Sequence, residues 1–361
     1  MKSLVVEKAK LNHNIDILKS MTKSKIIGVL KANGYGLGML EFAKILKDNG
    51  IDLVAVTEID DAVTLSENGF SGKVLLLTPT SFEDDALLIV RNKIIPSIGS
   101  ITSALILNDA ASKLNEKVDF HLKIDTGFGR FGFLPNEISE ACTLFSNMEN
   151  IRLAGTYSHF SYAFSKNEKD VYFQYNKFIS TVDQIKNKGL DPGMLHICNS
   201  SAFLRFPQMH LDAVRIGSAF LGRIPIKNTY DLQEVGYLKS KIIEAKELPK
   251  NHNIGYANTY KTKQAIRVGV IPVGYSDGFG AEKSRDAFRI RDILRYIFHD
   301  IKSINKKVYV NIQNKPARVL GRIGACNIIA DLTGINANVG TDVILNANPI
   351  LIGNHVKREY V

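Results

Sequence analysis

The sequence has no tryptophan, only three cysteines and no long apolar run. Cys142, Cys198 and Cys326 are odd in number and far apart, which indicates reduced thiols rather than a disulfide framework. No apolar segment reaches the roughly 18–20 residues that cross a bilayer. Residues 1–10 also lack the apolar core of a signal peptide. We therefore expect a cytoplasmic protein with no membrane partner.

The formal net charge of +10 does not come with the features of a nucleic-acid-binding protein. The lysines are spread along the whole chain, without a compact basic arm or zinc-finger spacing, so no nucleic-acid partner is expected. A basic surface that attracts carboxylate and phosphate ligands fits the charge. A lysine-rich composition with no functional meaning fits it equally well.

Short β-branched runs alternate with helical segments through the first 220 residues or so. Eight runs are predicted as strands: 26–31, 53–57, 73–78, 94–98, 118–125, 152–158, 194–198 and 213–216. Helical periodicity fills the spaces between them, at 40–48, 58–68, 83–90, 103–114, 135–145 and 173–188. Alternation of near-continuous apolar strands with helices is typical of a parallel sheet. Eight such units predict an α/β fold, an N-terminal (β/α)8 TIM-like barrel over residues 8–223.

The sequence pattern changes after residue 222, where short strands separated by turns replace the alternation of strands and helices. Strands are predicted at 268–273, 308–312, 317–320, 328–332 and 343–345, which indicates a C-terminal β-rich domain over residues 224–361. Residues 1–7 are also strand-like and could join either domain. Residues 281–307 stand apart because Lys283, Arg285, Arg289, Arg291 and Arg295 lie on a helix-like pattern. We interpret this segment as a solvated surface helix or insertion.

The first strand of the predicted barrel ends at Lys31 and is followed by Ala32-Asn33-Gly34-Tyr35-Gly36. In such barrels reactive groups lie at the carboxyl ends of strands. A lysine there either reaches to solvent or is desolvated, and desolvation would make its amine a nucleophile toward carbonyls. The glycine-rich turn favours the second interpretation, since it lets backbone and ring approach a bulky anionic ligand.

Four other strand ends carry polar residues toward the same barrel mouth. The fifth leads to Arg130 between glycines, which suits bidentate recognition of a carboxylate. The sixth ends at His159, and a lone histidine in a core is usually structural. The seventh ends in Asn199 and Ser200, candidates to cap a helix and bind phosphate. The eighth ends in Arg215-Ile216-Gly217-Ser218. Their convergence favours a site over four unrelated structural residues.

These motifs resemble the alanine racemase family of fold-type III pyridoxal-phosphate (PLP) enzymes over nearly the whole chain. The lysine signature around Lys31, the arginine motif at 125–130 and the strand ends at 157–160, 199–201 and 214–217 occur in the family's order. Pro272-Val273-Gly274-Tyr275-Ser276-Asp277-Gly278 resembles the segment that carries the family's second base. The resemblance implies PLP-dependent racemisation of a small amino acid, alanine first, by two bases on opposite faces of the substrate.

The resemblance also implies a role for each matching residue. Lys31 would hold the cofactor as a Schiff base and act on one face, and Tyr275 would act on the other from the second subunit of a homodimer. Arg215 would face the pyridine nitrogen, with His159 between it and Tyr275. Lys123 matches a lysine that is carbamylated in some members. Cofactor contacts are implied for Lys31, Tyr35, His159, Asn199, Ser200, Arg215, Gly217 and Ser218, substrate contacts for Arg130, Ala325 and Tyr275, and no metal.

Two departures from the family pattern leave the substrate open. Where the family often has Cys-Met-Asp, this chain has Ala325-Cys326-Asn327, so the pocket is wider or the loop sits differently. The family's tyrosine near the C-terminus has no counterpart beside Pro349, and this ending is similar to the racemase domain of serine/alanine racemases. Racemisation of serine, or of a larger or basic amino acid, is therefore an alternative. A related decarboxylase and a non-catalytic PLP-binding protein are others, and Tyr275 counts against the last.

Overall fold

The computed structural model describes residues 1–282, 289–304 and 306–361, and it forms two compact units. One unit is Lys8–Val235, and the other combines Met1–Glu7 with Gly236–Val361. Lys283 and Arg285, which the sequence placed on a helix-like pattern, lie outside the described residues. Among the described residues, no helix has both the length and the apolar character needed to span a membrane.

The unit Lys8–Val235 is a closed barrel of eight parallel strands with helices between them, which confirms the predicted barrel. The chain opens with β1 (Ser3–Val6) of the other unit and α1 (Lys8–Ser20). The barrel strands are β2 (Lys25–Val29), β3 (Leu53–Val56), β4 (Lys73–Leu76), β5 (Ile95–Ile98), β6 (Val118–Lys123), β7 (Ile151–Tyr157), β8 (Met194–His196) and β9 (Ala213–Ile216). The helices are α2 (Lys31–Tyr35, a single turn), α3 (Met39–Asp48), α4 (Ile59–Glu67), α5 (Glu83–Arg91), α6 (Ile101–Lys113), α7 (Ile138–Ser146), α8 (Lys169–Asn187) and α9 (Ser200–Arg205).

The barrel interior is apolar on one side and polar on the other. Successive strand residues face opposite sides of the sheet, so every second residue points inward. From β2, β3 and β4 come buried apolar side chains, among them Ile27, Leu53 and Leu75. From β6, β8 and β9 come buried polar ones, namely His121, Lys123, His196 and Arg215. Burying this many polar groups is costly unless they bond one another, so the polar half is where a site is expected.

The barrel unit ends at Val235, beyond the predicted boundary after Arg223. A buried asparagine of α1 explains why the segment 224–235 stays with the barrel. The Asn14 amide donates to the carbonyl oxygens of Phe220 and Gln233, both at 2.8 Å, and accepts from the Gln233 N–H at 2.7 Å. Val235 N also donates to the Leu221 oxygen at 3.0 Å. These long-range bonds could not be seen in the local sequence pattern.

The second unit is built on a nine-stranded sheet, as predicted for a β-rich domain. Its order is β11-β14-β17-β16-β15-β18-β10-β1-β19, with a separate pair β12-β13. The ranges are β10 (Tyr237–Lys241), β11 (Glu244–Leu248), β12 (Asn253–Ile254), β13 (Tyr260–Lys261), β14 (Ile266–Ile271), β15 (Tyr309–Ile312), β16 (Lys315–Leu320), β17 (Ile328–Asp331), β18 (Asp342–Leu345) and β19 (Lys357–Tyr360), with one helix, α10 (Ile290–Ser303), among the described residues. β1 pairs with β10 and β19, so residues 3–6 belong to this sheet.

Replacing Asn14 by alanine should destabilise the barrel by about 2–4 kcal/mol, because two buried carbonyls and one N–H lose their partner. Asn12→Ala is the matched control. Asn12 is exposed on the same helix and bonds only at the surface, to the Asn49 amide at 3.1 Å, so its loss should cost under about 0.5 kcal/mol. Urea denaturation of both variants measures the difference. Equal midpoints would show that the Asn14 amide does not fix the segment 224–235.

Candidate functional site

A cavity of about 660 Å³ lies at the carboxyl ends of the barrel strands, within the range of small-molecule sites. It gathers residues from the loops that follow seven of the eight barrel strands. The lining residues include all the barrel residues that the sequence singled out as site candidates: Lys31, Tyr35, Lys123, Arg130, His159, Asn199, Ser200, Arg215, Gly217 and Ser218. Tyr275 and Ala325 belong to the other unit and are described below.

Lys31 begins a left-handed turn after β2. Ala32, Asn33, Gly34 and Tyr35 all have φ between 52° and 64°, a region that L-residues adopt at a cost of about 1 kcal/mol or more each. The turn is closed by Gly34 N donating to the Leu30 oxygen at 2.7 Å and by the Asn33 carboxamide, which accepts from Met39 N at 2.8 Å. The Lys31 ammonium lies 5.8 Å from the Tyr35 ring centroid. Contrary to the desolvated lysine that the sequence favoured, Lys31 is exposed, because this turn carries it out of the barrel interior.

Tyr35, Ser200 and Gly217 form one compact corner of the cavity. A Cβ on Gly217 would lie 2.4 Å from the Tyr35 hydroxyl, so only glycine lets the ring lie against this backbone. Ser200 Oγ accepts from Gly217 N at 3.0 Å and from Ala219 N at 3.4 Å. The Ser218 N–H bonds the Tyr35 hydroxyl, while burial raises the pKa of that phenol to about 12. Both hydroxyls therefore accept backbone bonds and keep their own hydrogens to donate. Asn199 caps α9 by accepting from Ala202 N at 3.0 Å.

The guanidinium of Arg215 is buried beneath the cavity and is surrounded by acceptors. It donates to the carbonyl oxygens of Ser158, His196 and Ile197 at 2.7–3.1 Å. It also contacts two ring nitrogens, with Nη1 2.7 Å from His196 Nδ1 and Nη2 3.2 Å from His159 Nδ1. Because a guanidinium can only donate, both Nδ1 atoms must be unprotonated acceptors. Burial lowers the pKa of Arg215 to about 10, which leaves the group charged at neutral pH.

The hydrogen-bond chain continues from His196 to a third buried histidine, His121. With Nδ1 of His196 accepting from Arg215, its Nε2 carries the hydrogen and donates to His121 Nδ1 at 2.8 Å. Burial, followed by the charge of Arg215, lowers the pKa of His121 to about 4 and the pKa values of His159 and His196 well below the ordinary range. The three imidazoles are therefore neutral at neutral pH.

The loop after β6 presents Arg130 at the rim of the cavity. Burial alone would raise the pKa of Asp125, but the N–H groups of Gly127, Phe128 and Gly129 donate to its carboxylate at 2.8–2.9 Å and hold the pKa below its usual value. The loop then returns to β6 through Phe133 N, which donates to the Lys123 oxygen at 3.0 Å. The Arg130 guanidinium lies 4.4 Å from the centroid of the Phe128 ring, within cation–π distance.

Lys123 is the one lysine of the cavity whose amine is buried. Its Nζ lies 4.7 Å from the Tyr157 ring centroid and has no hydrogen-bond partner in the described part of the chain. Burial, reinforced by the charge of Arg215, lowers the pKa of Lys123 well below its ordinary value. The amine is therefore held toward its neutral form, which is the nucleophilic form of lysine.

Tyr275 and Ala325 lie together in the second unit. Tyr275 is 59% exposed in a tight turn, and its N–H donates to the Gly324 oxygen at 3.0 Å. Ser276 N and Oγ donate to the Ala325 oxygen at 3.1 and 2.6 Å. Asp277 anchors the turn from below, since its buried carboxylate bonds Lys2 Nζ at 2.7 Å and His355 Nε2 at 2.9 Å.

Several residues that line the cavity or lie beneath it were not predicted from the sequence to have a role. Tyr157 stacks on His196 with 4.8 Å between ring centroids, and its hydroxyl bonds Ser97 Oγ at 2.7 Å. His121 belongs to the network only through His196. Side chains alternate between the two faces of β6, so residues 119, 121 and 123 share one face. That alternation could have predicted that His121 points into the barrel with Lys123. Thr57, Glu58, Leu77, Thr78, Phe131, Ser201 and Pro225 also line the cavity.

The fold and cavity define a (β/α)8-barrel protein whose cavity is lined by several basic side chains, Lys31, Lys123, Arg130 and Arg215. The family model described as alanine racemase, N-terminal domain, matches residues 6–225, and that described as alanine racemase, C-terminal domain, matches residues 235–357. The chain therefore belongs to the alanine racemase family.

Individual relatives agree with the family models. Over 347 residues the chain is 31% identical to an alanine racemase of Methanococcus maripaludis, covering 94% of this chain and 87% of that one. It is 30% identical over 346 residues to an alanine racemase of Clostridium perfringens, covering 92% and 82%. The solved structure of an alanine racemase from Clostridium difficile superposes with a TM-score of 0.88 at 28% identity, covering 100% of this chain and 95% of that one.

A buried neutral histidine makes the stability of the barrel depend on pH. The folded pKa of His121, about 4, lies below the unfolded value near 6.5, so the unfolded state binds the extra proton between these values. The stability supplied by the neutral imidazole is present above pH 6.5 and falls by about 1.4 kcal/mol per pH unit as the pH drops toward 4. His121→Gln should remove that part of the slope in urea denaturation series at successive pH values. His252→Gln makes the same replacement at an exposed histidine and is the control for the substitution itself. An unchanged slope in His121→Gln would contradict a neutral His121.

Proposed function

We propose that this chain interconverts L-alanine and D-alanine with pyridoxal 5'-phosphate as cofactor and works as a homodimer. The observation that carries the proposal is the Arg215 guanidinium, buried under the cavity and bonded, within the described residues, to neutral acceptors, together with the two hydroxyl donors beside Gly217. The family membership and the names of the relatives support alanine as the substrate.

The residues of the cavity fit this cofactor in charge and in shape. The hydroxyl hydrogens of Tyr35 and Ser200, with the backbone of Gly217 and Ser218, would hold the phosphate, because each hydroxyl oxygen already accepts a backbone bond and its hydrogen can be donated to the ligand. The Lys31 amine would attach the cofactor covalently. Arg215 would face the pyridine nitrogen and, being permanently charged, would keep a proton off it.

Racemisation needs a proton removed from one face of the substrate and another delivered to the opposite face. When bound, the cofactor would withdraw electrons from the substrate α-carbon and so make its hydrogen acidic. The Lys31 amine would hold or accept the proton on one face, and the phenol of Tyr275, contributed by the partner subunit, would serve the other. Neutral His159 can accept a hydrogen bond from Arg215 without competing for its charge. Arg130 would bind the substrate carboxylate.

Lys123 would support Arg130 in a modified form. A buried neutral amine is the form of lysine that adds carbon dioxide, forming an N–C bond and releasing one proton to give a carbamate. The resulting negative charge would lie near the cationic Arg215 and Arg130, which both act electrostatically on Lys123. Carbamylation would therefore replace an unpartnered amine with an acceptor for arginine.

The test of the reaction is the holoenzyme with L-alanine in deuterated water, followed by chiral chromatography and mass spectrometry. D-alanine carrying one α-deuterium is expected, since the returning proton comes from solvent-exchanged groups. Lys31→Ala should lower the racemisation rate by at least about 10³-fold. The visible absorption of the lysine-bound cofactor should disappear in the same variant. Parallel reactions with L-serine and with a basic amino acid test the wider-pocket alternative. A holoprotein that binds the cofactor but neither exchanges nor inverts any of them would contradict the proposal.

The variant Tyr275→Phe distinguishes proton transfer at the substrate face served by Tyr275 from transfer at the face served by Lys31. Net inversion should fall by about 10²–10⁴-fold in both directions alike, because the equilibrium constant between enantiomers is one. Deuterium exchange without inversion should persist for the enantiomer whose α-hydrogen faces Lys31 and disappear for the other. Tyr309→Phe is the control, an exposed tyrosine of the same unit on β15, and should leave both readouts unchanged. An equal loss of α-deuterium exchange for both enantiomers would contradict a face-specific role for Tyr275.

A further inference from the structure

Helix α10 presents an apolar face that nothing in the described part of the chain buries. Its apolar side chains recur three and four residues apart, and at 3.6 residues per turn they occupy an arc of roughly 140°. None of the helix's residues is buried, and Ile297 and Phe298 are 50% and 60% exposed. The face consists of Ile290, Ile293, Leu294, Ile297, Phe298 and Ile301. An exposed apolar stripe of this length on one helix indicates a binding surface.

The apolar face is bordered by basic side chains. Arg291, Arg295 and Lys302 fall within roughly 40° of one another along one edge of the arc. The Lys302 ammonium lies 4.5 Å from the centroid of the Phe298 ring, so its stem runs along the apolar face while its charge stays at the edge. Over residues 289–304 and 306–307 there are six basic and two acidic side chains, which gives a net charge of +4. Arg295 pairs with one of the acids, Asp292, at 3.3 Å.

We propose that α10 binds the surface of an anionic lipid bilayer, lying in the plane of the headgroups. A helix with one apolar face, a basic border and little overall hydrophobicity is the type that settles at this depth. Its apolar side chains would enter the acyl boundary and its arginines and lysines would meet lipid phosphates. The expectation of no membrane partner rested on the lack of a spanning segment. Fourteen residues, about 21 Å of helix, are too few to span but enough to lie on the surface.

A second copy of the chain fits this face less well. A copy packed through α10 would bring its own basic border against this one, so like charges would meet at the contact. The apolar half of a 21 Å helix covers on the order of 400 Å², whereas a stable interface needs roughly 800 Å² from each partner. An anionic surface has the complementary charge and needs no matching shape.

The absence of tryptophan from the chain makes the test direct. Phe298→Trp gives the full-length holoprotein a single indole on the apolar face, and its emission should shift to shorter wavelength when vesicles containing phosphatidylglycerol are added. Brominated acyl chains should quench it. Phe173→Trp is the matched control. Phe173 is also an exposed helical phenylalanine, with Lys177 one turn later and 5.8 Å from its ring, so its indole should not respond.

Two further variants separate the apolar and the charged contributions. Phe298→Glu should weaken vesicle partitioning by about tenfold or more, because one buried aromatic is replaced by a charge. Arg291→Glu should weaken it mainly at low ionic strength, and binding of the parent protein should fall as salt is raised. Phe173→Glu should partition like the parent.

Three outcomes would overturn the proposal. The first is no spectral shift and no sedimentation with anionic vesicles. The second is equal binding to pure phosphatidylcholine vesicles, which would remove the role of the basic border. The third is indole emission in the Phe298→Trp variant that is already at short wavelength without vesicles and changes on dilution, which would assign the face to a second copy of the chain.

Discussion

The polar half of the barrel depends on one buried charge, the guanidinium of Arg215. A cation in a protein interior is tolerated only when its donors are fully matched. Here three backbone carbonyls and two imidazole nitrogens accept from it, and no carboxylate of the described residues does. Because every partner is uncharged, the positive charge is not cancelled locally. It acts electrostatically on Lys123, Tyr157, His159 and His196.

The first consequence is the protonation state of the surrounding groups. Arg215 fixes both adjacent histidines as acceptors, and the hydrogen bond from His196 then fixes His121. The same charge, added to burial, disfavours an ammonium at Lys123. The barrel accommodates this network sterically at Gly155, where a Cβ would lie 2.7 Å from the His121 ring, beside the register shift between β6 and β7. Only glycine at position 155 therefore leaves room for the His121 ring in this network.

The sequence predicted the features that local pattern encodes. All eight barrel strands follow from apolar runs, and the polar residues placed just after those runs line the cavity. The left-handed turn at Lys31 and the exposure of its amine could not be predicted, because they depend on consecutive dihedral angles that Ala32 and Tyr35 ordinarily avoid. β10, β11 and β19 were missed because their charged residues interrupt the apolar pattern, while pairing with distant strands stabilises them. The barrel boundary was likewise set by Asn14, some 220 residues away.

The loop at Ala325 shows how a sequence departure can be interpreted once the backbone is known. Small residues there suggested either a wider pocket or a displaced loop. The backbone of this loop is tied to the Tyr275 turn by bonds that use main-chain atoms of Gly324 and Ala325, and Gly274 packs so closely that a Cβ would lie 2.2 Å from the Ala325 oxygen. None of these contacts depends on the side chain at 325. The loop path therefore does not depend on the side chain at 325, although the Cys326 thiol does contact the Tyr275 turn, with its Sγ 3.8 Å from Ser276 Oγ.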